Sequence, residues 1–275
     1  MKATVICENS VFRCRGAIAE HGWSVFLETP EGNYLLDTGQ GQAIINNARI
    51  LNIDLDSIRG IILSHHHYDH TGGLFAVLEN IKRKIPVYVH ADLFKESFFQ
   101  RQGQVKHIGI PHNRLLLETM GAEFVFNKEV QEIIPGVFMT GEVPRITTYE
   151  KGDKDLVIRV GNGFIADTVL DDQSLVIKTQ QGLFIILGCA HSGIINTIEY
   201  ALKITGEERI HTIIGGTHLG PVSEEQKAES IKALKEYSIA RLGVSHCTGL
   251  LASARLSQEF GERFFYCNVG TVVEV

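Results

Sequence analysis

The stretch GIILSHHHYDHTGG, residues 60–73, decides how this chain folds and what it holds. The apolar run Gly60–Leu63 reads as a buried strand, and Gly72–Gly73 as a tight reversal into a helix. Between them, positions 65 to 70 carry four histidines and an aspartate. Side chains alternate along an extended chain, so His65 and His67 face one way and His66 the other. Asp69 and His70 fall in the turn, where the backbone folds them back. H-x-H-x-D-H thus delivers three imidazoles and one carboxylate to one small volume. That donor set suits zinc, iron or manganese. The bland alternative is a solvated histidine-rich turn. Chance yields this spacing in about one chain in a thousand of this composition. Crowded imidazoles also gain little at neutral pH without a shared cation. His66 is read as a neighbour of the ligands.

The chain has 275 residues, 44% of them hydrophobic, enough for a large core. A net charge of −6 offers a polyanion no global attraction, so the expected partner is a small molecule and not nucleic acid. Cys7, Cys14, Cys189, Cys247 and Cys267 are odd in number, scattered, and lack CxxC spacing. They read as reduced thiols of a cytoplasmic protein. MKATVICEN reads as a first strand and not as a signal peptide. No apolar run approaches the roughly 18–20 residues of a membrane span. Oligomeric state is left open.

Short β-branched runs recur at residues 3–7, 24–29, 34–39, 60–64, 87–90, 174–179, 183–188, 210–216 and 264–270. Helical patterns alternate with them. GIINTIEYALKITG ends on a glycine suited to a C-cap, and SEEQKAESIKALKEYSI starts with Ser223 as N-cap. The rhythm repeats from about residue 155. It suggests one domain, residues 1–275, of two βα halves with sheets inside and helices outside. Residues 93–122 interrupt it with a long connection mixing helix, aromatics and basic residues, the mark of a cap or lid.

DLDSIRGIILSHHHYDHTGGL resembles the signature of the metallo-β-lactamase superfamily, and LLDTG with Asp37 resembles that superfamily's first motif. The resemblance implies a four-layer αββα sandwich with metals at the sheet edge. It also implies that Asp37 supports a ligand histidine from behind, an arrangement that orients imidazoles and raises their basicity. Taken with AEHGWS, GCAHSG, GGTHL and SHCTG, the chain is similar to the dihydropterin–ribofuranosylaminobenzene phosphate synthase-like branch, also labelled metal-dependent hydrolase class II. That label implies a phosphate-bearing substrate.

GCAHSG (188–193), GGTHLG (215–220) and SHCTG (245–249) each follow an apolar strand, making His191, His218 and His246 the further candidates. By the superfamily pattern, His246 is the late ligand of a second metal and His191 the third imidazole of the first. The pattern's glycine–histidine–threonine turn is missing, and Gly188–Cys189 replaces its Gly-Asp. The bridging ligand is therefore either Cys189 as a thiolate or a carboxylate, while Asp171 and Asp172 read as a solvated turn. Two divalent ions about 3.5–4 Å apart, zinc by preference and otherwise manganese or iron, share a water and lower its pKa. The resulting hydroxide attacks phosphorus or a carbonyl carbon. Asp69 holds the second metal and the nucleophile's proton. His218 protonates the leaving group, with His21 as second choice. Arg101, Lys106 and His107, with Arg114, are candidates for binding phosphate, and Phe94, Phe98 and Phe99 for an apolar wall. His90 and His112 read as structural.

The leading expectation is a hydrolase of a small phosphoester or related ester. One alternative is a synthase joining a pterin alcohol to an aminobenzene ribofuranosyl phosphate. Another is a metal-bearing ligand-binding or sensor protein with little turnover.

Overall fold

A computed structural model describes all 275 residues. In chain order the elements begin β1 (Lys2–Cys7), β2 (Ser24–Thr29), β3 (Gly32–Leu36), α1 (Ile44–Ile50), β4 (Ile58–Ile62), α2 (Tyr68–Thr71) and α3 (Leu74–Ile81). There follow β5 (Ile85–His90), β6 (Ser97–Arg101), β7 (Gln104–His107), α4 (Arg114–Thr119), β8 (Ala122–Asn127), β9 (Gln131–Ile134) and β10 (Val137–Met139). Next come β11 (Leu156–Val160), β12 (Gly163–Ala166), β13 (Leu175–Thr179), β14 (Gly182–Ile186), α5 (Ile194–Thr205) and β15 (Ile210–Gly216). The chain ends with α6 (Glu224–Leu234), β16 (Ile239–Ser245), α7 (Gly249–Phe260), β17 (Phe264–Tyr266) and β18 (Val272–Glu274). This is the mixed α/β class expected from the sequence. No helix is long and apolar enough to cross a membrane.

Two compact units form. One contains residues 1–127, 154–167 and 268–274; the other contains 128–153, 168–267 and Val275. In the first unit a seven-stranded sheet runs β18-β1-β2-β3-β4-β5-β8. β1, β2 and β3 pair antiparallel, β2 and β3 as a tight hairpin, and β3, β4, β5 and β8 pair parallel. Helix α3 buries Leu74, Val77, Leu78 and Ile81 in the unit's core, an i, i+3, i+4, i+7 stripe. Each such side chain contributes about 1.5–3 kcal/mol when removed from water.

The second unit's sheet runs β17-β16-β15-β14-β13-β10-β9, with β14 to β17 parallel and the rest antiparallel. Its helices carry the predicted caps. The Ser223 side chain accepts from the Gln226 N–H at the start of α6, and Gly206 closes α5 in the left-handed region at φ 67°. The two units share a local device. Thr29 and Thr179 each close a hairpin by donating to the carbonyl of Gly32 or Gly182, at 2.7 and 2.6 Å. In both units a parallel run of strands then follows the hairpin.

Two expectations need correction. The repeated rhythm does not start at 155: residues 154–167 form β11 and β12, which join β6 and β7 in a four-stranded sheet of the first unit. Residues 93–122 contribute a hairpin as well as a short helix, and Phe98 and Phe99 lie on strand β6. The missed signal is Gln102–Gly103, with φ of 51° and 79°, which turns β6 into β7 as two consecutive left-handed residues do in tight hairpins.

Candidate metal centre

In the first unit the site starts where β3 and β4 end, at the carboxyl edge of the parallel strands, where open α/β sheets gather functional groups. Asp37 follows β3 in the left-handed region, φ 55°, and is fully buried. A non-glycine residue there is strained, and such strain concentrates at functional sites. The Asp37 carboxylate accepts from the Ser64 backbone N–H and hydroxyl, both at 2.7 Å, and from His70 Nδ1 at 2.7 Å. His70 Nδ1 therefore carries the proton, and Nε2 keeps its lone pair. The Ser64 hydroxyl has one proton and spends it on Asp37. Its contact with His65 Nδ1, at 2.9 Å, is then a donation from the ring, which leaves His65 Nε2 as the lone-pair nitrogen. That nitrogen lies 3.0 Å from His67 Nδ1. Two ligands at about 2.0–2.1 Å from a tetrahedral zinc sit at nearly this separation.

The turn is built by close approach. Gly72 and Gly73 make the reversal between α2 and α3 with ordinary right-handed backbones, so it is space and not a left-handed φ that glycine supplies. A Cβ on Gly73 would lie 2.1 Å from the Thr38 carbonyl oxygen, and one on Gly72 would lie 2.6 Å from that of Gln40. Thr38 also takes the His70 carbonyl through its N–H and hydroxyl, at 2.7 and 2.8 Å. The loop after β3 and the histidine turn thus interlock. Asp69 Oδ2 lies 3.1 Å from Nε2 of the half-exposed His21 and 4.0 Å from His70 Nε2. His66 turns away, as alternation predicts, with Nε2 3.8 Å from Asp167, whose other oxygen pairs with Lys95 at 2.9 Å.

The expected phosphate binders are all exposed. Arg101 faces Asp155 at 3.7 Å, His107 packs edge-on against Phe98, and Lys106 lies 5.4 Å from the Tyr68 ring, beside His67. Phe94, Lys95, His107, His112, Arg114 and Phe126 line a groove of about 560 Å³. His90 caps its own loop, accepting from the Asp92 N–H at 3.1 Å.

In the second unit Cys189 and His191 follow β14, His218 follows β15 and His246 follows β16; none exposes more than 8% of its surface. Ala190, His218 and His246 are left-handed, with φ of 56°, 50° and 51°. The His191 and His218 rings lie 4.0 Å apart between centroids, tilted by 47°. One sulfur or ring-nitrogen atom from each of Cys189, His218 and Cys247 lies within 4.8 Å of the others. Burial raises the Cys247 thiol, but hydrogen bonding to Cys189 and His218 and the field of the His246 and His218 rings outweigh it and hold the thiol well below its usual range. Burial likewise opposes protonation of His218, and Cys247, Asp153 and Asp172 reverse that effect.

Asp171 and Asp172 correct another expectation: they are buried, not solvated. Burial pushes the Asp172 carboxyl up to about 7, although the Ser192 N–H, at 3.2 Å, and the charges of His218 and Arg145 pull it back. Cys247 and Arg145 escaped the sequence reading. Arg145 has two nitrogens, Nε and Nη1, buried without a hydrogen-bond partner, while Nη2 donates to the Thr168 carbonyl. A lone arginine in an irregular loop has no periodicity to reveal it.

These donor sets fit divalent cations. Lone-pair nitrogens are fixed from behind in the first unit, and a sulfur–imidazole cluster sits in the second.

Residues 18–246 match the family described as the metallo-beta-lactamase superfamily. The chain is 33% identical over 266 residues to the 7,8-dihydropterin-6-methyl-4-(beta-D-ribofuranosyl)-aminobenzene-5'-phosphate synthase of Methanocaldococcus jannaschii, covering 93% of this chain and 90% of the relative. An uncharacterized protein of the same organism is 31% identical, with 98% and 99% covered. Among solved structures, a metal-dependent hydrolase of the beta-lactamase superfamily superposes with a TM-score of 0.84 at 27% identity, over 100% of this chain and 99% of that one. With its aspartate-backed histidine turn and its match over most of its length, the chain belongs to the metallo-β-lactamase superfamily.

Proposed function

We propose that this protein is a metal-dependent hydrolase of a small phosphate-bearing ester. In this reading His65, His67, Asp69 and His70 of the first unit, with His191, His246 and Cys189 of the second, supply the donors for two divalent ions. The observation that carries it is the Asp37–Ser64 relay, which presents His65 and His70 with Nε2 lone pairs in a fully buried setting. Bound divalent cations supply Lewis acidity and an activated water. Asp69 takes the proton that water gives up, and its Oδ2 lies 3.1 Å from His21 Nε2. His21, half-exposed and able to exchange its proton with solvent, is assigned the leaving-group proton in preference to the buried His218. Arg145, with its Nε and Nη1 nitrogens unsatisfied, is assigned to the phosphate.

The experiment is a panel of phosphomonoesters, phosphodiesters and carboxylic esters. Turnover should vanish on chelation and return with metal. A metal-loaded protein inert on the whole panel would remove the reading.

One observation favours a second reading. The relative at 33% identity is a synthase whose product name contains a pterin and an aminobenzene ribofuranosyl phosphate. The groove of aromatic and basic side chains in the first unit suits an aryl phosphate equally well. Incubation with a dihydropterin alcohol and an aminobenzene ribofuranosyl phosphate, followed by mass spectrometry, separates the two: a joined product, formed with loss of water, selects the synthase, and inorganic phosphate with the dephosphorylated ribofuranoside selects the hydrolase.

A further inference from the structure

Cys247 stands outside the donor set inherited from the sequence reading, yet its sulfur sits in a seat built for it. A Cβ on Gly216 would lie 2.5 Å from Cys247 Sγ, so the glycine at the end of β15 leaves the space the sulfur fills. The His218 backbone N–H donates to that sulfur at 3.3 Å, and the thiol in turn donates to the Cys189 carbonyl at 3.5 Å.

The three loops that meet here are tied to one another. Thr217 reaches the Thr248 hydroxyl through its N–H and its own hydroxyl, at 3.1 and 3.0 Å. The Gly216 N–H donates to the Gly188 carbonyl at 3.1 Å, and the Gly220 N–H donates to the Cys247 carbonyl at 3.2 Å. Register between the ends of β14, β15 and β16 is therefore fixed before any ligand arrives.

Both ring nitrogens of His218 are buried with no nitrogen or oxygen partner, the ring's one hydrogen-bonding neighbour is the Cys247 sulfur, and its backbone is held at φ 50°. Buried polar atoms are nearly always paired, so an imidazole left with only a weak thiol partner inside a rigid frame calls for an occupant. The donor atoms beside it are two sulfurs, all three within 4.8 Å of one another. In a tetrahedral zinc site with Zn–S near 2.3 Å, two sulfurs stand about 3.8 Å apart, within that limit.

We propose that Cys189, His218 and Cys247 form a Cys2His site for a soft divalent ion, zinc in preference to manganese. Thiolate ligands select zinc, whereas manganese prefers oxygen. On binding, one Zn–S bond forms to each sulfur, each thiol releases its proton to the buffer, and a His218 nitrogen donates its lone pair. The proposal deepens the metal-centre reading of the second unit and gives His218 a ligand's role.

The test uses no turnover. Full-length protein is alkylated with iodoacetamide with zinc, with manganese, or with chelator, and the labelled cysteines are mapped by mass spectrometry. The partly buried Cys14 serves as control. Zinc should slow labelling of Cys189 and Cys247 at least tenfold and leave Cys14 unchanged; manganese should protect neither.

Cobalt replacement gives a second readout. The thiolate-to-cobalt charge-transfer band should fall by about half in Cys247→Ser or Cys189→Ser and vanish in the double variant. Equal labelling of Cys247 with and without zinc overturns the proposal. So does a full-strength cobalt band in Cys247→Ser, or a Cys189–Cys247 disulfide in zinc-loaded protein. Each of those outcomes leaves the hydrolase reading standing, and an inert ester panel leaves this site standing.

Discussion

Replacing Asp37 by asparagine keeps the side chain's shape and removes its charge. The carboxylate serves three donors: the Ser64 N–H at one oxygen, and the Ser64 hydroxyl and His70 Nδ1 at the other, all at 2.7 Å. An amide accepts at one position only. If its oxygen stays on the Ser64 N–H, its NH2 confronts both remaining donors; the opposite flip loses the N–H bond instead. Two charge-assisted bonds at about 1.5–3 kcal/mol each are then at stake. Both partners can adapt: the hydroxyl rotates, and His70 shifts its proton to Nε2 so that Nδ1 accepts from the amide. Metal-free stability should therefore fall by only about 1–3 kcal/mol. The relocated proton now occupies the nitrogen that the proposed function assigns to metal, so affinity should fall about 10- to 100-fold. Urea denaturation of the metal-free variant measures the first quantity, and competition with a chromophoric chelator measures the second. Wild-type affinity in a folded Asp37→Asn protein would refute the claim that this carboxylate sets the His70 tautomer.

Gly73→Ala should destabilise by about 3 kcal/mol or more, because its Cβ would meet the Thr38 carbonyl rather than a flexible side chain; thermal unfolding checks this. Arg145→Gln should raise KM for a phosphate-bearing substrate about tenfold or more with a smaller change in kcat, since it removes a charge that has unsatisfied N–H groups to offer. Glu150 gives a pH prediction. Burial raises its pKa even though it accepts from the Ile195 and Asn196 N–H groups at the start of α5. The folded protein then binds this proton more tightly than the unfolded chain. Its contribution is fully present below the ordinary carboxylate pKa and is lost as pH rises through the raised one. Urea midpoints of Glu150→Gln should lack that downward slope between pH 4 and neutrality; parallel profiles would refute the assignment.

What could be read from the sequence was local. The histidine turn announces itself because its candidate donors lie within six positions, and Asp37 because it ends a strand ahead of a glycine. The strands that place His191, His218 and His246 show as β-branched runs. Other features depend on long-range neighbours. The pair Asp171–Asp172 looks solvated until Ser192, Arg145 and His218 close around Asp172. Cys247 looks incidental beside a histidine until Gly216, thirty-one positions earlier, is found to leave room for its sulfur. Gln102–Gly103 was legible in principle as hairpin chemistry but was masked by the aromatic and basic residues around it. The passage of 154–167 into the first unit follows from pairing of β11 with β6, a register that no local pattern encodes.

The central claim is that imidazoles of both units hold catalytic metal. Elemental analysis of reconstituted, desalted full-length protein tests it most directly, in wild type, His65→Ala/His67→Ala and His246→Ala. The account predicts at least two ions per chain in the wild type and a clear loss in each variant, in parallel with loss of turnover. Metal content that stays at the wild-type level without His65 and His67, or a wild type that retains no metal, would contradict it.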